Sequence, residues 1–302
     1  MNQKFVNELY AITGENNIRL QEPMAKHTTF RIGGPAQAFV TPSTIEEIRG
    51  LISLCKKEQV PFFILGHGSN LLVSDKGVDG VVIQLYDKFA GFQIEGNQVS
   101  AQAGAMLSKL GNAVKEAELT GFEFAAGIPG TLGGAIVMNA GAYGGEIKDI
   151  VTAVRLMDYE GNILEKPCEE MEFAYRHSIV SDQNYIVLGA TLSLEQGEKK
   201  AIEMRMAELA EARRSKQPLE YPSAGSTFKR PKGYFAGKLI MDAGLRGYQV
   251  GGAQVSEKHC GFVVNRGNAT AADVTKLMQD VENIVYEKFQ VRLEPEVKTV
   301  GR

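Results

Sequence analysis

The chain has 302 residues, of which 44% are apolar and 23% charged, with a formal net charge of −3. These are the proportions of an ordinary globular protein, and the slight acidity gives no reason to expect nucleic acid or an anionic membrane as partner. Its three cysteines, Cys55, Cys168 and Cys260, are far apart and odd in number, which argues against a disulfide framework or a zinc site and for a reducing compartment.

Residues 1–9 contain no apolar run of signal-peptide length, and no segment approaches the ~20 apolar residues of a membrane span. A cytoplasmic protein is expected. The length predicts two or three subdomains.

In chain order, residues 4–13 are expected to form an amphipathic helix, and Thr28–Ile32 a strand that turns at Gly33-Gly34. Ala36–Val40 is a second strand. Thr44-Ile-Glu-Glu47 is a capping box opening a helix with apolar residues at 45, 48, 51, 52 and 55. Val60–Leu65 is a buried strand that runs into Gly66-His-Gly-Ser-Asn70. The loop imitates a Rossmann fingerprint but carries Leu71 where the third glycine belongs, and no helix starts there. Its amides, with Ser69 and Asn70, still suit a diphosphate.

Strands follow at 81–85, 92–95 and 98–102, the last two joined by a hairpin turn, and then a helix at 105–117. Next comes the most glycine-rich stretch, 125–145, with glycines at 127, 130, 133, 134, 141, 144 and 145 and one large polar side chain, Asn139. So bare a backbone loses much entropy on folding. Close approach of its amides to a large ligand would explain it, as would a tight apolar crossing of packed elements. A hairpin at 151–166 and a strand at 185–194 complete a strand-rich half.

Residues 198–216 form a charged helix ending in Arg213-Arg214-Ser-Lys216, either a solvated face or a phosphate contact. Gly233-Tyr-Phe-Ala-Gly-Lys238 imitates a nucleotide P-loop but is one residue short and lacks its Ser/Thr. A helix at 236–243, a turn at Gly251-Gly252, a strand at 262–264, a helix at 270–289 and a strand at 291–297 end the chain. A domain boundary is expected near 198–220, and an α+β class for the strand-rich half.

The histidines at 27, 67, 177 and 259 do not pair at metal-ligand spacing, so no metal is expected. Ser226, in Ala-Gly-Ser-Thr-Phe, lacks the second glycine of a hydrolase elbow. Arg176, alone among neutral residues, and Glu296, flanked by apolar ones, are each ambiguous when taken singly.

Taken in order, the motifs carry more. Thr28-Thr-Phe-Arg-Ile-Gly-Gly34, Gly66-His-Gly-Ser-Asn70, Gly127-Ile-Pro-Gly-Thr-Leu-Gly-Gly134, Asn139-Ala-Gly-Ala-Tyr143, Tyr175-Arg-x-Ser178, Ala224-Gly-Ser-x-Phe228 and Leu293-Glu-Pro-Glu-Val297 together resemble the UDP-N-acetylenolpyruvoylglucosamine reductase family. The resemblance spans about residues 24–300. It implies a vanillyl-alcohol-oxidase/PCMH-like FAD-binding fold of class α+β, with two FAD subdomains (1–85 and 86–215) and a third, α+β substrate-binding domain (216–290). The C-terminal strand, 291–302, would return to the first subdomain.

The resemblance further implies non-covalent FAD, held by Gly66, His67, Gly68, Ser69, Asn70 and Leu71, by Gly127, Ile128, Pro129, Gly130, Thr131, Gly133, Gly134 and Ala135, and by Asn139, Gly141, Ala142 and Tyr143. Arg176, Ser226 and Glu296 fall on the catalytic positions, and Lys216 on a contact to the UDP diphosphate. Tyr175 and Lys229 are expected to contact substrate, Lys229 also as a neighbour stabilising the Ser226 alkoxide. The implied reaction is NADPH-dependent reduction of UDP-N-acetylglucosamine enolpyruvate to UDP-N-acetylmuramate. In it Arg176 stabilises the substrate carboxylate, Glu296, if burial keeps it protonated, donates a hydrogen bond to the same group, and Ser226 delivers a proton to C2. No room is visible between Tyr185 and Lys216 for the tyrosine-bearing loop of one branch of the family, so the chain resembles the shorter branch. A monomer is favoured. The rival readings are another oxidase of the same fold and a non-catalytic nucleotide-binding protein.

Overall fold

The computed structural model describes all residues, Met1–Arg302. The chain forms two compact units: residues 1–20, 38–67 and 80–212, and residues 21–37, 68–79 and 213–302.

In the first unit, the helix Gln3–Thr13 is capped by Asn2, whose side chain accepts from Phe5 N. The helix Ile45–Lys57 is capped by Thr44, which accepts from Glu47 N. The second half of the expected capping box goes elsewhere: Glu47 Oε2 accepts from Ser43 N at 2.6 Å. Residues 18–20, 38–40, 80–84 and 62–65 of this unit belong to a four-stranded sheet of order Ile18–Pro23, Pro35–Val40, Val78–Gln84, Phe62–Leu65, with its last pair parallel. The Phe62–Leu65 strand is half-buried over most of its length rather than buried throughout.

An antiparallel five-stranded sheet follows, in the order Ile163–Pro167, Val151–Asp158, Tyr185–Ser193, Gln98–Gln102, Phe92–Glu95. The glycine-rich stretch is partly ordered by two short helices, Glu123–Ala126 and Leu132–Val137, and by a small hairpin at 141–146. One continuous core joins these elements, from Leu9 and Leu51 through Val154, Leu156 and Leu192. The helix Lys199–Lys216 buries only Ile202 and Leu209, so a narrow stripe holds it and its charged faces are left to solvent.

The second unit centres on the antiparallel sheet Ser223–Ser226, Phe262–Asn265, Ala253–Val255, Gln249–Val250. The helix Ala271–Phe289 buries Val274, Leu277, Met278, Val281 and Val285, the three-and-four spacing of a helix covering a core. Thr270 and Asp273 close its capping box. Asp75 adds a second cap, accepting from the amides of Ala271 and Ala272 at 2.8 and 3.0 Å. Burial of each such aliphatic side chain contributes ~1.5–3 kcal/mol relative to exposure.

Two expected strands are not strands. Thr28–Ile32 reads as extended because it is rich in β-branched and aromatic residues, yet Arg31 N donates to Thr28 O at 3.1 Å and Arg31 has φ +55°. Thr28 Oγ1 also donates to Ile32 O at 3.0 Å, so the segment folds on itself. At the other end, residues 291–297 make one isolated bridge, Phe228 to Pro295, because proline has no amide to continue a ladder. The terminal strand is Lys298–Val300, parallel to Leu71–Val73. No helix is long and apolar enough to cross a membrane.

Candidate active site and cofactor cradle

The glycines of the long stretch divide by what surrounds them. At Gly133 a Cβ would lie 2.9 Å from Ala103 Cβ, at Gly141 2.8 Å from Gly145 O, and at Gly145 2.7 Å from a Phe124 ring carbon. These three are small because protein packs against them, so the tight-crossing explanation holds there. Gly134 differs: it is exposed, and its nearest contact, Thr131 Oγ1, would be an ordinary 3.7 Å away. Gly127 is exposed as well.

At Gly66 a Cβ would sit 2.5 Å from Thr131 Oγ1, so the loop after the Phe62–Leu65 strand and the start of the Leu132–Val137 helix close on each other only through a bare backbone. Gln84 Nε2 fixes the loop by donating to Gly66 O at 3.0 Å. A surface of unsubstituted backbone at Gly66 and Gly134, with Thr131 buried beneath it, fits a flat, extended ligand with a diphosphate, and in this respect the first unit suits FAD. The Leu132–Val137 helix does not offer its first amides, since Leu132 N and Gly133 N donate to Ala105 O and Ala103 O, both at 2.8 Å. His67 stacks on Tyr86 with ring centroids 5.5 Å apart, and burial pushes its pKa down, so the ring is neutral at pH 7. In the second unit, Gly68 has φ +71° and a Cβ there would collide with His27 O, so only glycine fits.

Asn139 spends its side chain on the protein. It is fully buried; Nδ2 donates to Glu146 Oε2 at 3.0 Å and to Ala174 O at 3.1 Å, and Oδ1 accepts from Lys148 N at 3.0 Å. Ala174 and His177 exchange backbone bonds of 3.1 and 3.2 Å around Tyr175-Arg176, a tight turn with Arg176 at φ +56°. The Arg176 guanidinium lies 5.0 Å from the ring centre of the exposed Tyr175. Glu146 is held below the usual carboxylate range by Lys148 first, with Asn139 and the charge of Arg176 adding to it. Glu146 carried no signal in the sequence beyond ending the glycine stretch.

In the second unit the structure brings Ser226 and Glu296 together. Thr227, the residue after Ser226, is buried and its carbonyl accepts from Glu296 N at 2.8 Å. On its other side Thr227 N donates to Gly261 O at 2.8 Å, and its Oγ1 accepts from Val263 N at 2.9 Å. The peptide of Glu296 is fixed from a third direction by Asn70, whose Nδ2 donates to Glu296 O at 3.1 Å and whose O accepts from Lys298 N at 3.0 Å. Thr227 is a structural key that sequence reasoning passed over, because nothing in a lone threonine tells which strands it will bolt together.

Lys229 Nζ lies 3.2 Å from Glu294 Oε2, an exposed pair, so the structure gives it a partner other than Ser226. Lys216 is exposed at the end of its helix. In that segment Lys258 Nζ donates to Arg214 O at 2.7 Å.

Residues 217–300 match the family described as UDP-N-acetylenolpyruvoylglucosamine reductase, C-terminal domain, and residues 36–166 match the FAD binding domain family. A reductase of that name from Clostridioides difficile is 55% identical over 99% of both chains. The crystal structure of UDP-N-acetylenolpyruvylglucosamine reductase from Thermus caldophilus is 37% identical, with a TM-score of 0.81 over 94% of this chain and 99% of that one. The grass pollen allergen Phl p 4, with glucose dehydrogenase activity, shares the fold alone, at 18% identity and a TM-score of 0.52 over 65% of this chain and 44% of that one. With the α+β fold and the bare-backbone cradle, these likenesses establish that the chain belongs to the UDP-N-acetylenolpyruvoylglucosamine reductase family of FAD-dependent oxidoreductases.

Proposed function

We propose that the protein reduces UDP-N-acetylglucosamine enolpyruvate to UDP-N-acetylmuramate with NADPH, a cytoplasmic step of peptidoglycan precursor synthesis. The observation that supports this reading is the Thr227 O···Glu296 N bond of 2.8 Å, which ties the backbone of Glu296 to the residue after Ser226. In domain terms, residues 1–85 and 86–215 are taken as the FAD subdomains and 216–290 as the substrate-binding domain. Gly66–Leu71, Gly127–Ala135 and Asn139–Tyr143 would hold FAD, with Gly134 and Gly66 offering the barest backbone. Bound FAD would supply the hydride-carrying chemistry between NADPH and C3 of the enolpyruvyl group.

The protein's own residues deal with the charge that follows. Hydride arriving at C3 leaves negative charge on C2 and the carboxylate, and Arg176, always charged and forked, holds that carboxylate. Ser226 gives a proton to C2, which completes the saturation of the double bond. Glu296, if burial keeps it protonated, donates a hydrogen bond to the same carboxylate. Lys216 meets the diphosphate, while Tyr175 and Lys229 contact the nucleotide; the exposed Lys229–Glu294 pair exchanges partners at little cost.

The test is product identity. The purified protein, given NADPH and the enolpyruvyl nucleotide under anaerobic conditions, should consume both and yield a nucleotide heavier by two hydrogens. Consumption of neither, with sugars oxidised instead, would assign the chain to the oxidase reading.

A further inference from the structure

The turn that carries Arg176 is held in place by groups outside it. A non-glycine residue at φ +56° costs energy, and such a conformation persists only when its surroundings impose it. Two clamps do so. On the side before the turn, Asn139 Nδ2 donates to Ala174 O at 3.1 Å. On the side after it, the fully buried Ser178 donates through Oγ to Val137 O at 2.9 Å. Both clamps anchor the turn to one short segment, 137–139, at the C-terminal end of the Leu132–Val137 helix.

Position 139 sets three requirements at once. Its backbone is left-handed, with φ +39°. Its side chain must supply two donors, to Ala174 O and to Glu146 Oε2, and one acceptor, to Lys148 N. Asparagine tolerates the backbone and has this set of groups. Aspartate would lose both donors and set a carboxylate against Glu146. Glu146 in turn is held by Asn139 and by Lys148 Nζ at 2.8 Å.

We propose that Asn139 and Glu146 are positioning residues that aim the Arg176 guanidinium at the substrate carboxylate. Neither touches substrate; Asn139 fixes the turn, and Glu146 fixes Asn139 while placing a negative charge near the guanidinium. The charge of Arg176 is among those that lower the pKa of Glu146, after Lys148. A planar fork recognises a carboxylate only from a narrow set of directions, so a small error in aim costs more than the distance alone suggests. This inference rests on the reading of Arg176 as the carboxylate holder.

The experiment compares two probe nucleotides by calorimetry: the enolpyruvyl nucleotide, and UDP-N-acetylglucosamine, which lacks the carboxylate. Asn139→Gly keeps the backbone permitted and removes the clamp to Ala174 together with the bonds to Glu146 and Lys148. Its affinity for the enolpyruvyl nucleotide should fall by roughly 10–10²-fold, as expected when a charge-assisted contact is misaimed. Its affinity for UDP-N-acetylglucosamine should stay within about twofold, and Glu146→Gln, outside the proposed FAD cradle, should also keep its flavin content and its reduction by NADPH. Glu146→Gln, which keeps an acceptor for Asn139, should show the same selective pattern at about threefold, and it stands in if Asn139→Gly fails to fold.

Equal weakening of both nucleotides, loss of flavin from Glu146→Gln, or no change in either variant would overturn the proposal. Arg176→Ala separates its failure from that of the parent reading. If Arg176→Ala loses the preference for the carboxylate-bearing nucleotide and Asn139→Gly and Glu146→Gln keep it, only the positioning role falls. If Arg176→Ala also keeps it, the carboxylate role of Arg176 falls, and the positioning role falls with it.

Discussion

Arg176 and Ser226 are held by different kinds of bond. The Arg176 turn in the first unit hangs on side chains, Asn139 and Ser178, each reaching a backbone carbonyl at a strained or buried point. The Ser226 strand in the second unit is held mostly by backbone: Ser226 pairs with Phe262, Thr227 N with Gly261 O, and Thr227 O with Glu296 N. A site held by side chains is open to single substitutions at a distance, whereas one held by backbone pairing tolerates them and yields mainly to changes in its own residues. The first unit therefore offers several ways to disturb Arg176 without touching it, and the second offers few for Ser226.

The largest expected effect comes from Ser226 itself. In Ser226→Ala, reduction of the flavin by NADPH should proceed at a near-normal rate, since no proton at C2 is involved. Reoxidation by the enolpyruvyl nucleotide should slow by roughly 10²–10⁴-fold, the range for loss of a positioned general acid. Stopped-flow absorbance reads the two halves separately. If both slow together, Ser226 serves the fold or the flavin site and its contrast with Arg176 disappears.

A smaller effect, on stability, divides the glycines of the first unit. Gly66→Ala places a methyl 2.5 Å from Thr131 Oγ1 and should destabilise by about 1–3 kcal/mol, the usual cost of overpacking. Gly134→Ala meets only a 3.7 Å contact and replaces glycine within a helix, so the flavin-free protein should melt no lower than the parent. Its affinity for FAD should nevertheless fall, because the exposed backbone there is proposed cradle. Unchanged FAD affinity in Gly134→Ala would remove that glycine from the cradle.

Lys216→Ala should raise KM for the nucleotide by about tenfold and leave kcat nearly unchanged, since a contact remote from C3 binds ground and transition states alike. Steady-state kinetics suffice, and an unchanged KM would return Lys216 to the role of a solvated helix end.

The smallest effect concerns a group away from the proposed chemistry. Burial pushes the Cys55 thiol from 9.0 up to about 12. Below about pH 9 the thiol is protonated in both folded and unfolded chains and adds no pH dependence. Above it only the unfolded chain gives up the proton, so stability should decline as pH rises past 9, and Cys55→Ala should blunt that decline. Alkylation at pH 8 should reach the half-buried Cys168 first, whereas labelling of Cys55 in the folded protein would contradict its burial.

Much of this architecture is visible in local sequence. Thr44 and Thr270 announce their helices because a cap acts on the amides just beyond it. The 151–166 hairpin is legible from its turn residues. What escaped depends on contacts distant in sequence. Ile18–Pro23, with its charges and terminal proline, does not look like a strand and becomes one by pairing with Pro35–Val40. Thr28–Ile32 looks like a strand and folds into a turn. The glycine stretch was recognisable as bare backbone, but not the division between glycines that face protein and those that stay open. Arg176, Ser226 and Glu296 are singled out as candidates by a whole-chain pattern of motifs, while Thr227 and Glu146, whose bonds join segments distant in sequence, left no such trace.

The visible spectrum of the purified protein tests the central claim most directly. A yellow protein is expected, bleached by NADPH without oxygen and restored by the enolpyruvyl nucleotide, with flavin released from the denatured chain. A colourless protein that binds no FAD, or a flavin that NADPH reduces but only oxygen restores, would contradict the assignment of this site to reduction of an enolpyruvyl sugar nucleotide.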